Sequence, residues 1–106
     1  PTWFKAYINL GFIYYSDGLY DRSLSAFDRA IELDFSNERA FLGRGDTYDE
    51  LGEYVKALTD YDRVIELNPE NAKAYYYRAI TYERLEQWNL AQKDTERACE
   101  LDREYC

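Results

Sequence analysis

Apolar residues recur along this chain in two registers, at helical spacing within short stretches and again every 34 residues. Residues 4–16 are apolar at close to helical spacing, and Asp17-Gly18 closes them with a glycine suited to a left-handed turn. Over 20–33, Tyr20, Leu24, Phe27, Ala30 and Ile31 form one stripe, which predicts a second helix. Ser36-Asn37 and Glu70-Asn71 read as polar connectors. Asn37 and Asn71 hold equivalent slots as helix N-caps, because an Asn side-chain oxygen accepts an orphan backbone N–H. The same layout predicts helices over 38–51 and 54–67 around a Gly52-Glu53 turn, with Pro69 as the stop. A third pair follows, with Leu85-Glu86 between its helices and no glycine, so a turn that is not left-handed is expected there.

A shift of 34 residues carries Tyr82 onto Tyr48 and Tyr14, Ala79 onto Gly45 and Gly11, and Trp88 onto Tyr54 and Tyr20. A fixed period of this size means stacked supersecondary units, each too small to bury its apolar face alone. The first unit offers Tyr7, Leu10-Gly11, Tyr14, Tyr20, Ser23, Phe27 and Ala30. The second offers Phe41, Gly45, Tyr48, Tyr54, Ala57, Tyr61 and Pro69, and the third Tyr75, Ala79, Tyr82, Trp88, Ala91 and Ala98. In these positions the chain resembles three tetratricopeptide repeats, over about 4–37, 38–71 and 72–105. It departs from the pattern at Arg44 and Arg78 (where Leu10 sits), at Phe35 and Arg103 (where Pro69 sits), and at Thr95 (where Phe27 and Tyr61 sit). The resemblance implies an all-α, right-handed superhelical solenoid of three antiparallel helix-turn-helix repeats, one domain over 1–106. Pro1-Thr2-Trp3 precede the first unit, and the absence of an initial Met suggests a piece of a longer protein. Trp3 reads as a cover for the start of the stack or as the end of an upstream repeat. Gln92 and Thr95 make the last helix more polar, which places the third unit at or near the C-terminal end of the array.

Each first helix carries two stripes. Tyr7, Leu10, Gly11 and Tyr14, with their copies, belong by resemblance to the core within each repeat. The small residues Gly11, Gly45 and Ala79 let the paired helix approach, so Gly45→Leu is expected to overpack that crossing by roughly 1–3 kcal/mol. The second stripe, at i, i+3, i+7, i+10, reads Lys5, Ile8, Phe12, Tyr15, then Arg39, Leu42, Asp46, Asp49, then Lys73, Tyr76, Ile80, Glu83. The resemblance implies that these side chains line a concave groove, basic at one rim, apolar in the middle and acidic at the other. Asn9, Gly43 and Tyr77 flank its middle tiers, with Gly43 leaving a gap beside Tyr77.

Composition narrows the function. The formal net charge is −8, with −2, −5 and −1 on the three units, and such a chain should repel a phosphate backbone. No apolar run is long enough to span a membrane. There is no His to activate a Ser or a Cys, and no glycine-rich phosphate loop; Gly43-Arg44-Gly45 lies inside a helical pattern. Asp46, Asp49, Glu50 and Glu53 read as a solvated acidic face; Asp49, Glu50 and Glu53 crowd a helix C-terminus, so neutralising them, as Asp49→Asn with Glu50→Gln, is expected to leave stability unchanged or raise it. The expectation is a non-enzyme without cofactor or metal. Two cysteines are too few for a disulfide framework, so Cys99 and Cys106 read as reduced thiols of an intracellular, cytoplasmic chain. Within the family, the carboxylate clamp grips the acidic C-terminus of heat-shock chaperones through two Lys, two Asn and one Arg. Those positions here are Ile8, Phe12, Gly43, Lys73 and Tyr77, and only Lys73 fits, so a clamp is not expected. The expected function is a scaffold that binds a peptide or a partner helix. Self-assembly as a homo-oligomer and service as the regulatory arm of an enzyme are the rivals.

Overall fold

The computed structural model describes residues 3–106; Pro1 and Thr2, read as preceding the first unit, lie outside them. Six helices follow one another: α1 (Trp3–Ser16), α2 (Tyr20–Leu33), α3 (Glu38–Glu50), α4 (Tyr54–Leu67), α5 (Ala72–Arg84) and α6 (Trp88–Leu101). A short 3-10 turn, Arg103–Tyr105, ends the chain. Consecutive helices pack as three pairs, and the pairs stack through α2 on α3 and α4 on α5. The result is an all-α repeat solenoid of 38 × 25 × 21 Å, in which α1, α3 and α5 lie side by side.

Local sequence explains the boundaries. Asn37 Oδ1 accepts from the N–H groups of Arg39 (3.0 Å) and Ala40 (3.3 Å), and Asn71 Oδ1 accepts from Ala74 (3.2 Å). Both caps sit where the sequence places them. Gly18 and Gly52 adopt φ of 75° and 78°, and the N–H three residues past each helix returns to a carbonyl of its last turn, Leu19 to Tyr14 and Glu53 to Tyr48. The third turn overturns the sequence expectation. Glu86 also takes a left-handed φ, 58°, and Gln87 N–H returns to Tyr82 O at 2.9 Å as in the other two. The stacked helices fix the reversal, and Glu86 tolerates a conformation that disfavours a Cβ by about 1–2 kcal/mol.

Close approach decides the core. Phe27 is fully buried between Gly11 and Gly43, where an added Cβ would lie 2.5 Å and 2.3 Å from its ring. A Cβ on Gly45 would fall 2.8 Å from Tyr61 and 3.3 Å from Asp60 Cβ, so the overpacking expected of Gly45→Leu has its physical cause. Arg44 and Arg78, the departures from the repeat pattern, strap the stack together. Arg44 donates two hydrogen bonds to Asp60 (2.9 and 2.8 Å) and one to Asp28 of the preceding pair (2.9 Å). Arg78 does the same to Asp94 and Asp62.

The cysteine expectation is corrected. Cys99 and Cys106 form a disulfide, because the 3-10 turn brings their Cα atoms within 4.7 Å. The argument for a reduced compartment therefore loses its premise. Trp3 is the first described residue of α1 and is exposed. No helix of the described residues is long and apolar enough to cross a membrane.

Candidate functional site

The neighbouring faces of α1, α3 and α5 enclose two adjoining cavities. One, of about 380 Å³, is lined by Phe12, Tyr15, Asp46, Glu50, Tyr77 and Arg84, among others. Its neighbour, of about 400 Å³, is lined by Arg39, Leu42, Asn71 and Lys73. Phe12, Asp46 and Tyr77 line both and form the wall between them. The basic residues thus gather near the helix N-termini and the acidic ones near the C-termini, because the side chains of a stripe climb their helix in order.

Aromatic packing holds the wall. Phe12 meets Phe27 edge-on at 5.0 Å, and the Arg39 guanidinium lies 5.3 Å from the Phe12 centroid. Tyr77 stacks on Tyr61 (6.4 Å) and touches Tyr76 (5.6 Å). Tyr61 O–H donates to Asp46 Oδ1 at 2.6 Å. Burial, reinforced by the charges of Asp49 and Glu50, nevertheless pushes the Asp46 carboxyl up to about 7. The same low-dielectric surroundings, with Asp46 and Glu50 nearby, raise the Tyr15 hydroxyl to about 12.

Several expected groove residues do not line it. Ile8 is 1% exposed and belongs to the core with Phe27, Ala30 and Ala40. Gly43 leaves no gap, since the Phe27 ring fills the space where its Cβ would lie. Leu42 is mostly core, at the edge of the basic cavity. Lys5 and Asn9 are exposed but line neither cavity. Tyr76 and Glu83 line neither cavity; with Ile80, which does line the acidic one, they border a separate cavity of about 580 Å³ at the α5–α6 end of the stack, beside Trp88. The solvated-face reading fails for Asp46, and also for Asp49, which is buried and accepts from Thr81 Oγ1 (2.8 Å) and from Arg84. Sequence reasoning missed Ser16, Glu50, Tyr61, Asn71 and Arg84 as lining residues. Tyr61 sits on a second helix and reads as core, and only its hydroxyl reaching Asp46 betrays a second role.

A profile described as tetratricopeptide repeat matches residues 4–37, and one described as TPR repeat matches 45–86; together they span more than two thirds of the chain. No curated protein matches. Among solved structures, the first TPR domain of human RPAP3 is 26% identical with a TM-score of 0.93, over 96% of this chain and 80% of that one. The first TPR of Spaghetti (RPAP3), bound to the HSP90 peptide SRMEEVD, is also 26% identical, with a TM-score of 0.91 over 93% and 79%. A tetratricopeptide repeat protein from Parabacteroides merdae is 30% identical with a TM-score of 0.87, over 97% of this chain and 40% of that one.

Proposed function

Because this chain belongs to the tetratricopeptide repeat family, whose members are generally non-catalytic protein–protein interaction modules, we propose that it binds a peptide or partner helix along the face shared by α1, α3 and α5. The unit is the whole chain, read as repeats over 4–37, 38–71 and 72–105. The observation that carries this reading is the pair of adjoining cavities joined at Phe12, Asp46 and Tyr77. Aromatic anchors supply most of the affinity, while Arg39 and Lys73 at the basic end set direction and association rate. The ligand therefore carries bulky apolar residues and an acidic group toward Arg39 and Lys73.

Clamp-type binding of an acidic chaperone tail is a poor fit. Of the five clamp positions only Lys73 has the right chemistry. Ile8 is in the core, Gly43 abuts Phe27, and Phe12 and Tyr77 pack on other rings. A ligand site on the outer face instead, around Asp28, Asp62 and Glu96 of the second helices, is less favoured because the first two carboxylates hold Arg44 and Arg78. Self-assembly keeps one observation in its favour, the cavity beside the 60% exposed Trp88. Sedimentation over a concentration range separates it, since a groove binder stays monomeric.

Selection of binders from a random peptide library, followed by titration of the best peptide into variants, tests the groove. Phe12→Ala or Tyr77→Ala should weaken binding at least about tenfold, and Arg39→Glu should weaken it less at high salt than at low salt. Affinity within about twofold of the parent for both truncations would move the site off this face.

A further inference from the structure

Of the two cavities, the basic one already has an expected occupant in the ligand's acidic group. The acidic one has none. We propose that this second chamber takes a lysine or arginine side chain of the bound peptide, its stem against Phe12, Tyr15 and Tyr77 and its cationic head on Asp46 and Glu50. The inference rests on the reading of this face as a peptide groove and adds the chemistry of its second anchor.

The charges of the chamber do not cancel internally. Arg84 lines it but is engaged by Asp49, which leaves Asp46 and Glu50 without an ion pair among the described residues. Asp46 Oδ1 accepts from Tyr61, whereas Oδ2 accepts no hydrogen bond among those residues. Lys73 belongs to the adjoining chamber and makes no ion pair with Asp46. A carboxylate held among aromatic rings, with no cation bonded to it and only the longer-range field of Lys73 from the adjoining chamber, is matched by a charge delivered from outside. The rings suit the stem of a long cationic side chain, and their faces attract its head. Burial disfavours the ionised form of Asp46 in the free protein, and an incoming cation would reverse that preference. A bare metal ion is a worse match, because no group of three or more His, Cys, Asp or Glu among the described residues could hold one. With an anion at Arg39 and Lys73 and a cation at Asp46 and Glu50, the groove would read the polarity of its ligand.

The test is a nuclear magnetic resonance titration of the intact chain, above the Asp46 midpoint of about 7, with three probes. They are the N-acetyl methylamides of lysine, norleucine and glutamate. The lysine probe should give saturable shifts at Asp46, Glu50, Tyr61 and Tyr77, and norleucine should bind at least about tenfold more weakly. Asp46→Asn, whose amide oxygen still accepts from Tyr61, should weaken the lysine probe about tenfold without changing norleucine. Glu50→Gln, at an exposed site, should weaken it by a smaller factor. Equal binding of lysine and norleucine at this face, or lysine binding unaffected by the two substitutions together, would overturn the cationic anchor and leave the groove standing. If none of the three probes moves any resonance of this face, both the anchor and the groove fall.

Discussion

Asp49 is the last residue but one of α3, where the helix dipole disfavours a carboxylate, yet it is 8% exposed and accepts from Thr81 and Arg84 of α5. Which effect wins follows from magnitude. Dipole repulsion costs about 0.3–1 kcal/mol, whereas a buried charge-assisted bond contributes about 1.5–3 kcal/mol. Asp49→Asn should therefore lower stability by about 1–2 kcal/mol, discounted because Arg84 is partly exposed. Exposed Glu50→Gln should be neutral or slightly stabilising; urea unfolding midpoints of the two variants would check the contrast. Asp46 behaves differently. Its folded pKa, about 7, lies above the ordinary 3.8, so the native state holds a proton that the unfolded chain has lost over that interval. The stability tied to this proton is full below about pH 4 and disappears as pH rises through about 7. Tyr61 from α4, Lys73 from α5 and Asp49 and Glu50 from α3 all bear on the group. Relative to Asp46→Asn, the parent should lose on the order of 2–4 kcal/mol between pH 4 and 7. Parallel pH–stability curves for the two proteins would refute the shift.

Between elements, the repeat is kept by interactions that differ from pair to pair. Arg44 and Asp60 couple α3 to α4 where α1 and α2 have Leu10 and Ala26. Asp60 is 2% exposed, so removing its partner strands a buried charge. Arg44→Leu should cost about 3 kcal/mol. The double change Arg44→Leu with Asp60→Ala, which transplants the first pair's solution, should recover most of that, because neither polar group is then left alone. A thermal double-mutant cycle measures the coupling; additive losses would mean that the strap does not act as a pair. Asp28, about half exposed, should add little. The turns follow the same logic. Three reversals share one geometry, and only two of them have the glycine that favours it.

At the scale of the whole molecule, the last residues fold back onto the third helix pair. Tyr105 stacks on Tyr76 at 4.7 Å, and the Cys99–Cys106 disulfide holds the 3-10 turn that carries it. Closing so short a loop restrains the unfolded chain by about 2 kcal/mol. Reduction, or Cys106→Ser, should lower the thermal midpoint by several degrees and release Tyr105 from Tyr76, visible as a change in near-ultraviolet circular dichroism. An unchanged midpoint and spectrum would show that the turn docks without the bond.

The period of 34 residues, the helical stripes and the turn chemistry of Asn37, Gly18, Gly52, Asn71 and Pro69 were enough to specify six helices in three stacked pairs, because these signals act within a few residues of themselves. Spacing along one helix could also place Phe12, Tyr15, Asp46, Tyr77 and Ile80 on a common face. What it could not weigh was which side chains a neighbouring pair would cover. Phe27 fills the space beside Gly43, Ile8 is enclosed beside Phe27, and Arg84 turns Asp49 inward. Tyr61 reaches through from the second layer to Asp46. Those outcomes, like the left-handed Glu86 and the joined cysteines, depend on atoms brought together from distant or returning segments. Local pattern carries no record of such contacts, so only the tertiary structure decided them.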